Sequence, residues 1–256
     1  MTLYQNLFEP ITVGKVVVKN RIVRSPHSTG LAGDNLISYH ETRARGGVGM
    51  SSVEATSVHP SAPGAIQLYS DECIPFLEKL ANRVHPHGMK MLHQLYHPGA
   101  SSAPLGEAWS ASAIPNPMGS VIPIEMTQMM IDDVVGAFGL AAGRVCRSGM
   151  DGVDLHASSG YLIHEFLSPA LNNRTDKYGG SAENRLRFLL EVIASVRAEV
   201  GDAAFIVGVR LPNEDFVPGG LTADSNAEIA EAVDPLVDYI SLHMGSYWRF
   251  HKLIAP

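Results

Sequence analysis

Hydrophobic positions along the chain follow two alternating rhythms. Short runs of apolar, small and β-branched residues occur at 20–26 (NRIVRSP), 47–58 (GVGMSSVEATSV), 89–96 (MKMLHQLY), 152–157 (GVDLHA), 204–211 (AFIVGVRL) and 238–245 (DYISLHMG). Their length and residue types predict six strands. Between several of them the apolar spacing lengthens to that of a helix. In 70–88 (SDECIPFLEKLANRVHPHG), Ser70 is positioned as an N-cap with Asp71 and Glu72 in the first turn, and Ile74, Leu77, Leu80, Ala81 and Val84 form one stripe. In 181–201 Ser181 caps and Gly201 terminates a helix whose predicted stripe is Leu186, Leu189, Leu190, Ile193, Val196 and Val200. Strands alternating with helices imply parallel pairing with right-handed crossovers, so the fold class is α/β.

The turns decide between an open sheet and a barrel. The first strand is followed by SPHSTG (25–30), with no glycine-rich dinucleotide fingerprint. Polar residues gather instead where successive strands end: His27 and Ser28 after the first, Gln94 in the third, His156 after the fourth and Arg210 in the fifth. Convergence of many strand ends on one face is the mark of a (β/α)8 TIM barrel. Six strands are used by about residue 245, so about six of eight βα units are expected here. Residues 1–256 are expected to form one barrel domain, incomplete at its C-terminus.

Bulk properties narrow the chemistry. The 256 residues are 45 % hydrophobic, enough for one large core. A net charge of −7 gives nucleic acid no electrostatic support. Two cysteines, Cys73 and Cys146, supply neither a disulfide framework nor a cysteine-ligated cluster. No run is apolar and long enough for a membrane span and no signal pattern opens the chain, so a soluble cytoplasmic protein with a small-molecule partner is expected. The 11 histidines invite a metal reading, but a hydrolase barrel wants paired histidines after strand one, where His27 stands alone, and VHPHG (84–88) precedes a strand at the opposite face. No metal is expected. The NEDF segment (213–216) reads as a solvated loop rather than an acid–base pair.

The segment DGVDLHASSGYLIHEF (151–166) sets an imidazole and a phenol five residues apart across a turn of small residues. Directly after it, EFLSPALNNRTDKYGGSAENRLRF (165–188) closely resembles the signature of the old yellow enzyme family of FMN-dependent oxidoreductases. LFEPITVGKVVVKNRIVRSPHS (7–28) and HQLYHPGA (93–100) match the same family in the same order. The subgroup containing 2,4-dienoyl-CoA reductase and trimethylamine dehydrogenase is the most similar, through SPH-x-x-G after strand one. The resemblance implies an eight-stranded barrel with FMN across its C-terminal mouth and NAD(P)H as electron donor. An iron–sulfur cluster is implied only if the parent chain continues past residue 256.

Residue by residue, the resemblance implies a carbonyl-binding donor pair at His156 and Ser159, and a proton donor at Tyr161. Ser159 departs from the His or Asn of the family. Pro26, His27 and Ser28 are implied to line the flavin ring, Ala55 to contact it through the backbone, Gln94 to meet the pyrimidine edge and Arg210 to place a cation by N1 and O2. Ser28 stands where trimethylamine dehydrogenase carries a flavin-linked cysteine, so FMN is expected to be noncovalent. The expected reaction moves hydride between reduced flavin and an activated C=C bond of a small unsaturated carbonyl compound. A flavin-dependent dehydrogenase of a small amine and an inactive barrel fragment are the alternatives. Self-association into a homo-oligomer is left open.

Overall fold

The computed structural model of the chain describes residues 4–63, 66–102, 107–117, 121–245, 249 and 251. After a short helix α1 (Gln5–Phe8), strands β1 (Ile11–Val13) and β2 (Val16–Val18) form an antiparallel hairpin turned at Gly14, whose φ is +57°. β3 (Val23–Arg24), α2 (Gly33–Arg45), β4 (Met50–Ser57), α3 (Ile74–Val84) and β5 (Lys90–Tyr96) follow. Two short paired strands, β6 (Trp109–Ser110) and β7 (Ile124–Glu125), interrupt the rhythm before α4 (Gln128–Arg147). Then come β8 (Gly152–His156), α5 (Leu162–Leu167), α6 (Ala182–Val200), β9 (Ile206–Pro212), α7 (Ala223–Val233) and β10 (Tyr239–His243).

Strands β3, β4, β5, β8, β9 and β10 lie side by side in chain order, every neighbouring pair parallel. This is the winding of a βα barrel, and the sheet curls as part of one. The six predicted strands are the six observed, although the first is reduced to Val23–Arg24 at the sheet edge.

Helices cover the convex face, where the main core lies. Ser70 accepts from Glu72 N–H ahead of α3, Ser181 accepts from Asn184 N–H at the start of α6, and Gly201 ends α6 with φ +57°, as the capping rules require. The stripe of α6 is rotated from the predicted one. Phe188 and Val192 are buried, while Leu186 and Leu190 sit at its margin, because Phe166 of α5 stacks on Phe188 at 4.2 Å and sets the helix's rotation. Helix α2 escapes the periodicity because His40 occupies a core position beside Leu36, Ile37 and Ala44. On the concave side the hairpin closes the floor. Val16 and Val18 pack on Met50, Leu92 and Ile206 from the starts of β4, β5 and β9. The opposite ends of the strands are left for chemistry. Among the described residues no helix is long and apolar enough to cross a membrane.

Candidate active site

Strand β8 delivers His156 to its last position, in register with Arg210 of β9. The chain then reverses through two consecutive left-handed residues, Ser159 at φ +68° and Gly160 at φ +87°. Glycine adopts that backbone freely, whereas serine there costs on the order of 1 kcal/mol. The reversal brings Tyr161 back over the strand end, where it caps α5. Its ring meets that of His156 edge to face, with centroids 4.8 Å apart and planes at 80°. Tyr96, at the end of β5, makes a second edge contact with Tyr161 at 4.9 Å. The imidazole and phenol singled out in the sequence therefore touch.

Electrostatics fix the state of His156. Burial, reinforced by the Arg210 guanidinium, holds its pKa well below the ordinary value, so the ring is neutral near pH 7. Its Nδ1 lies 3.1 Å from Ser158 Oγ. A proton donated by that hydroxyl keeps the ring's own hydrogen on Nε2, making Nε2 a donor. Ser159 Oγ does not join His156. It lies 3.2 Å from Nδ1 of His243, the last residue of β10.

A buried network holds the turn from below. Gly160 N–H donates to His164 Nδ1 at 2.8 Å, so Nε2 carries the hydrogen of a neutral ring and donates to Asp215 Oδ1 at 2.6 Å. The other oxygen of Asp215 accepts from Ser168 Oγ at 2.6 Å and Leu221 N–H at 2.8 Å. Burial alone would raise the Asp215 pKa, but His164 and these donors lower it. The expectation of a solvated loop at 213–216 is thus corrected: Asp215 is buried, because three donors converge on it.

Inside the barrel, Gln94 Nε2 donates to Asp154 Oδ2 at 2.6 Å and Tyr239 O–H donates to Asp154 Oδ1 at 2.9 Å. Burial raises the Asp154 pKa to about 6, against the opposing pull of Tyr239 and Arg210. Gly208 of β9 makes room for the Tyr239 ring, which a Cβ there would overlap. Arg210 reaches across the mouth and donates from Nη1 to Ser25 Oγ at 2.5 Å, linking β9 to the loop after β3. Pro26 lines a cavity of about 40 Å³ with Ser52, Leu92, Asp154 and Tyr239. Ala55 sits at the β-bulge between Val53 and Thr56, where ladder pairing lapses. His27 and Ser28 are exposed, and the His27 ring lies against the Arg24 guanidinium, Nδ1 to Nη2 2.9 Å.

The donor set suits a flavin ring. Gln94 commits its N–H2 to Asp154 and leaves its carbonyl for a ligand N–H, while Arg210 supplies a cation whose field reaches the same Asp154. Sequence reasoning did not single out Asp154, His164, Asp215, Tyr239 or His243. A signal for two of them was present: Tyr239, Ser241 and His243 alternate along one face of β10, and three polar residues at period two inside a barrel strand are unusual. No group of three metal-ligating side chains occurs among the described residues.

The family model described as NADH:flavin oxidoreductase / NADH oxidase matches residues 6–252. An N,N-dimethylglycine/sarcosine dehydrogenase of Chromohalobacter salexigens is 36% identical over 98% of this chain and 38% of its own length. An NADPH dehydrogenase of a Geobacillus species is 40% identical over 94% of this chain and 73% of its own. The solved complex of 2-naphthoyl-CoA reductase with 2-naphthoyl-CoA superposes with a TM-score of 0.88 at 32% identity, over 95% of this chain and 41% of that one. The chain thus spans about two-fifths of the length of the first and third of these.

Proposed function

This chain belongs to the NADH:flavin oxidoreductase / NADH oxidase family, and from that premise we propose that it forms the flavin- and substrate-binding part of an FMN-dependent ene-reductase. The observation that carries this reading is the pairing of a neutral imidazole, His156, with a phenol, Tyr161, at 4.8 Å at a strand end. Noncovalent FMN, when bound, supplies hydride that originates from cytoplasmic NAD(P)H. The residues that would hold it are Gln94, whose side-chain carbonyl would meet the pyrimidine edge, Arg210, which would supply positive charge there, and Pro26, His27, Ser28 and the Ala55 backbone, which would border the ring. Ser28 holds no thiol with which to form a link.

The substrate's carbonyl oxygen accepts from His156 Nε2–H. As the β-carbon gains hydride, charge moves onto that oxygen, and a preoriented donor stabilises it more in the transition state than in the ground state. Tyr161 passes its phenolic proton to the α-carbon, the C=C bond becomes CH–CH, and solvent returns the proton to the phenolate.

The edge-to-face pair of Tyr96 and Tyr161 favours a second reading, oxidation of a small amine, since tyrosine rings attract an ammonium group. One panel separates the two. With FMN and NAD(P)H supplied, unsaturated ketones and aldehydes should be reduced, and small secondary or tertiary amines should not reduce the flavin. Tyr161→Phe should leave binding of carbonyl ligands within about twofold and slow C=C reduction, whereas His156→Ala should weaken that binding. Turnover within about threefold in both variants, below roughly 0.7 kcal/mol, would refute the assignment.

A further inference from the structure

Serine at 159 leaves the donor pair short, since a hydroxyl on Cβ reaches less far than an imidazole or a carboxamide. Another strand brings an imidazole to the same place. His243 ends β10, and its Nδ1 lies 3.2 Å from Ser159 Oγ although 84 residues separate the two. Ser159 meets this strand from a left-handed backbone, at φ +68°. The His156 and His243 ring centroids are 6.4 Å apart, with planes at 69°.

That separation suits one shared acceptor. A hydrogen bond of about 2.9 Å places an acceptor about 4 Å from the centroid of the donating ring. Two centroids 6.4 Å apart, each about 4 Å from the same oxygen, subtend roughly 105° there, close to the spread of carbonyl lone pairs. Burial, then Arg210, lowers the His243 pKa to about 4, so at neutral pH it too is an uncharged donor. With Ser159 O–H donating to Nδ1, the hydrogen of His243 resides on Nε2, where a ligand oxygen competes for it with the Gly245 carbonyl, whose bond to the ring favours the protonated form.

We propose that His243 is the second hydrogen-bond donor to the substrate's carbonyl oxygen and that Ser159 is the residue that orients it. The pair is therefore His156 and His243, from β8 and β10, rather than two residues of one turn. This inference rests on the ene-reductase reading, and its test distinguishes the two.

The probe is 4-nitrophenol, whose ionised oxygen imitates the charge that gathers on a reacting carbonyl, bound to the FMN-loaded protein and read by phenolate absorbance. His243→Ala should raise its Kd about tenfold and raise the pKa of the bound phenol. His243→Gln, which restores an N–H, should recover part of that loss and guards against a misfolded alanine variant. Ser159→Ala should act in the same direction but more weakly, and adding it to His243→Ala should cost nothing further. If His156→Ala weakens the probe while His243→Ala and Ser159→Ala stay within twofold, the proposal is wrong and the ene-reductase reading survives. If none of the three weakens it, both fail. A second measurement needs no cofactor: nitrogen NMR of the histidine rings should show His243 protonated on Nε2, with this preference lost in Ser159→Ala. A proton on Nδ1 in the unaltered protein would overturn the proposal.

Discussion

Glu165 is buried in α5, with 1 % of its surface exposed, directly behind the turn that carries Tyr161. Its Oε1 accepts from Ala100 N–H at 2.8 Å, and the Ser110 hydroxyl is the other polar group facing the carboxyl. Gly99, at φ +61°, must be glycine to admit the carboxyl, which any Cβ there would overlap. Burial raises the Glu165 pKa from 4.5 to about 8. The folded protein therefore holds this proton at neutral pH while the unfolded chain releases it. A raised folded pKa means stability that is complete below the unfolded value and is lost as pH rises through the folded one, here between pH 4.5 and about 8. Taking up the proton at pH 7 costs about 3 kcal/mol, from 1.4 kcal/mol per unit over the interval above the unfolded pKa. Glu165→Gln keeps the acceptor for Ala100 and has no proton to take up. Urea unfolding of both proteins at pH 5, 6, 7 and 8 should show the variant gaining on the parent by about 1 kcal/mol per pH unit. Parallel profiles would mean that Glu165 is not held protonated, and would refute the reasoning.

Two further substitutions probe the frame of the site. Asp215→Ala strands three donors, on His164, Ser168 and Leu221, and should lower stability by about 3 kcal/mol in urea unfolding; a loss below about 1 kcal/mol would remove the network from the account. Gly208→Ala should push out the Tyr239 ring at a cost of about 1–3 kcal/mol. It should also raise the Asp154 pKa above about 6 by loss of the Tyr239 bond, read by carbon NMR of the carboxyl; an unchanged titration would show that Tyr239 does not hold Asp154.

Local rules carried the outline. The six strands, the caps at Ser70 and Ser181 and the stop at Gly201 each depend on a few consecutive residues, and each is where periodicity and capping chemistry place it. His156 and Tyr161 were legible for the same reason, since one tight turn holds both. The rotation of α6 was not. Its apolar residues are broad enough to offer two stripes, and the Phe166 ring on another helix selects one.

The rest of the site was decided by contacts that no local window contains. His164 meets Asp215 across 51 residues, Ser159 meets His243 across 84 and Tyr239 meets Asp154 across 85. In the sequence these are a helix histidine, a loop acid, a turn serine and the polar residues of a strand, each consistent with exposure to water. Folding the parallel strands side by side removes that water from all of them at once. A buried polar group without a partner costs a few kcal/mol, so the strands that curl together must pair these groups with one another. The chain by itself determined the six strands of the parallel sheet, the caps of two helices and the turn with His156; the curl of the sheet decided which side chains face that turn, because burial, not sequence proximity, chooses their partners.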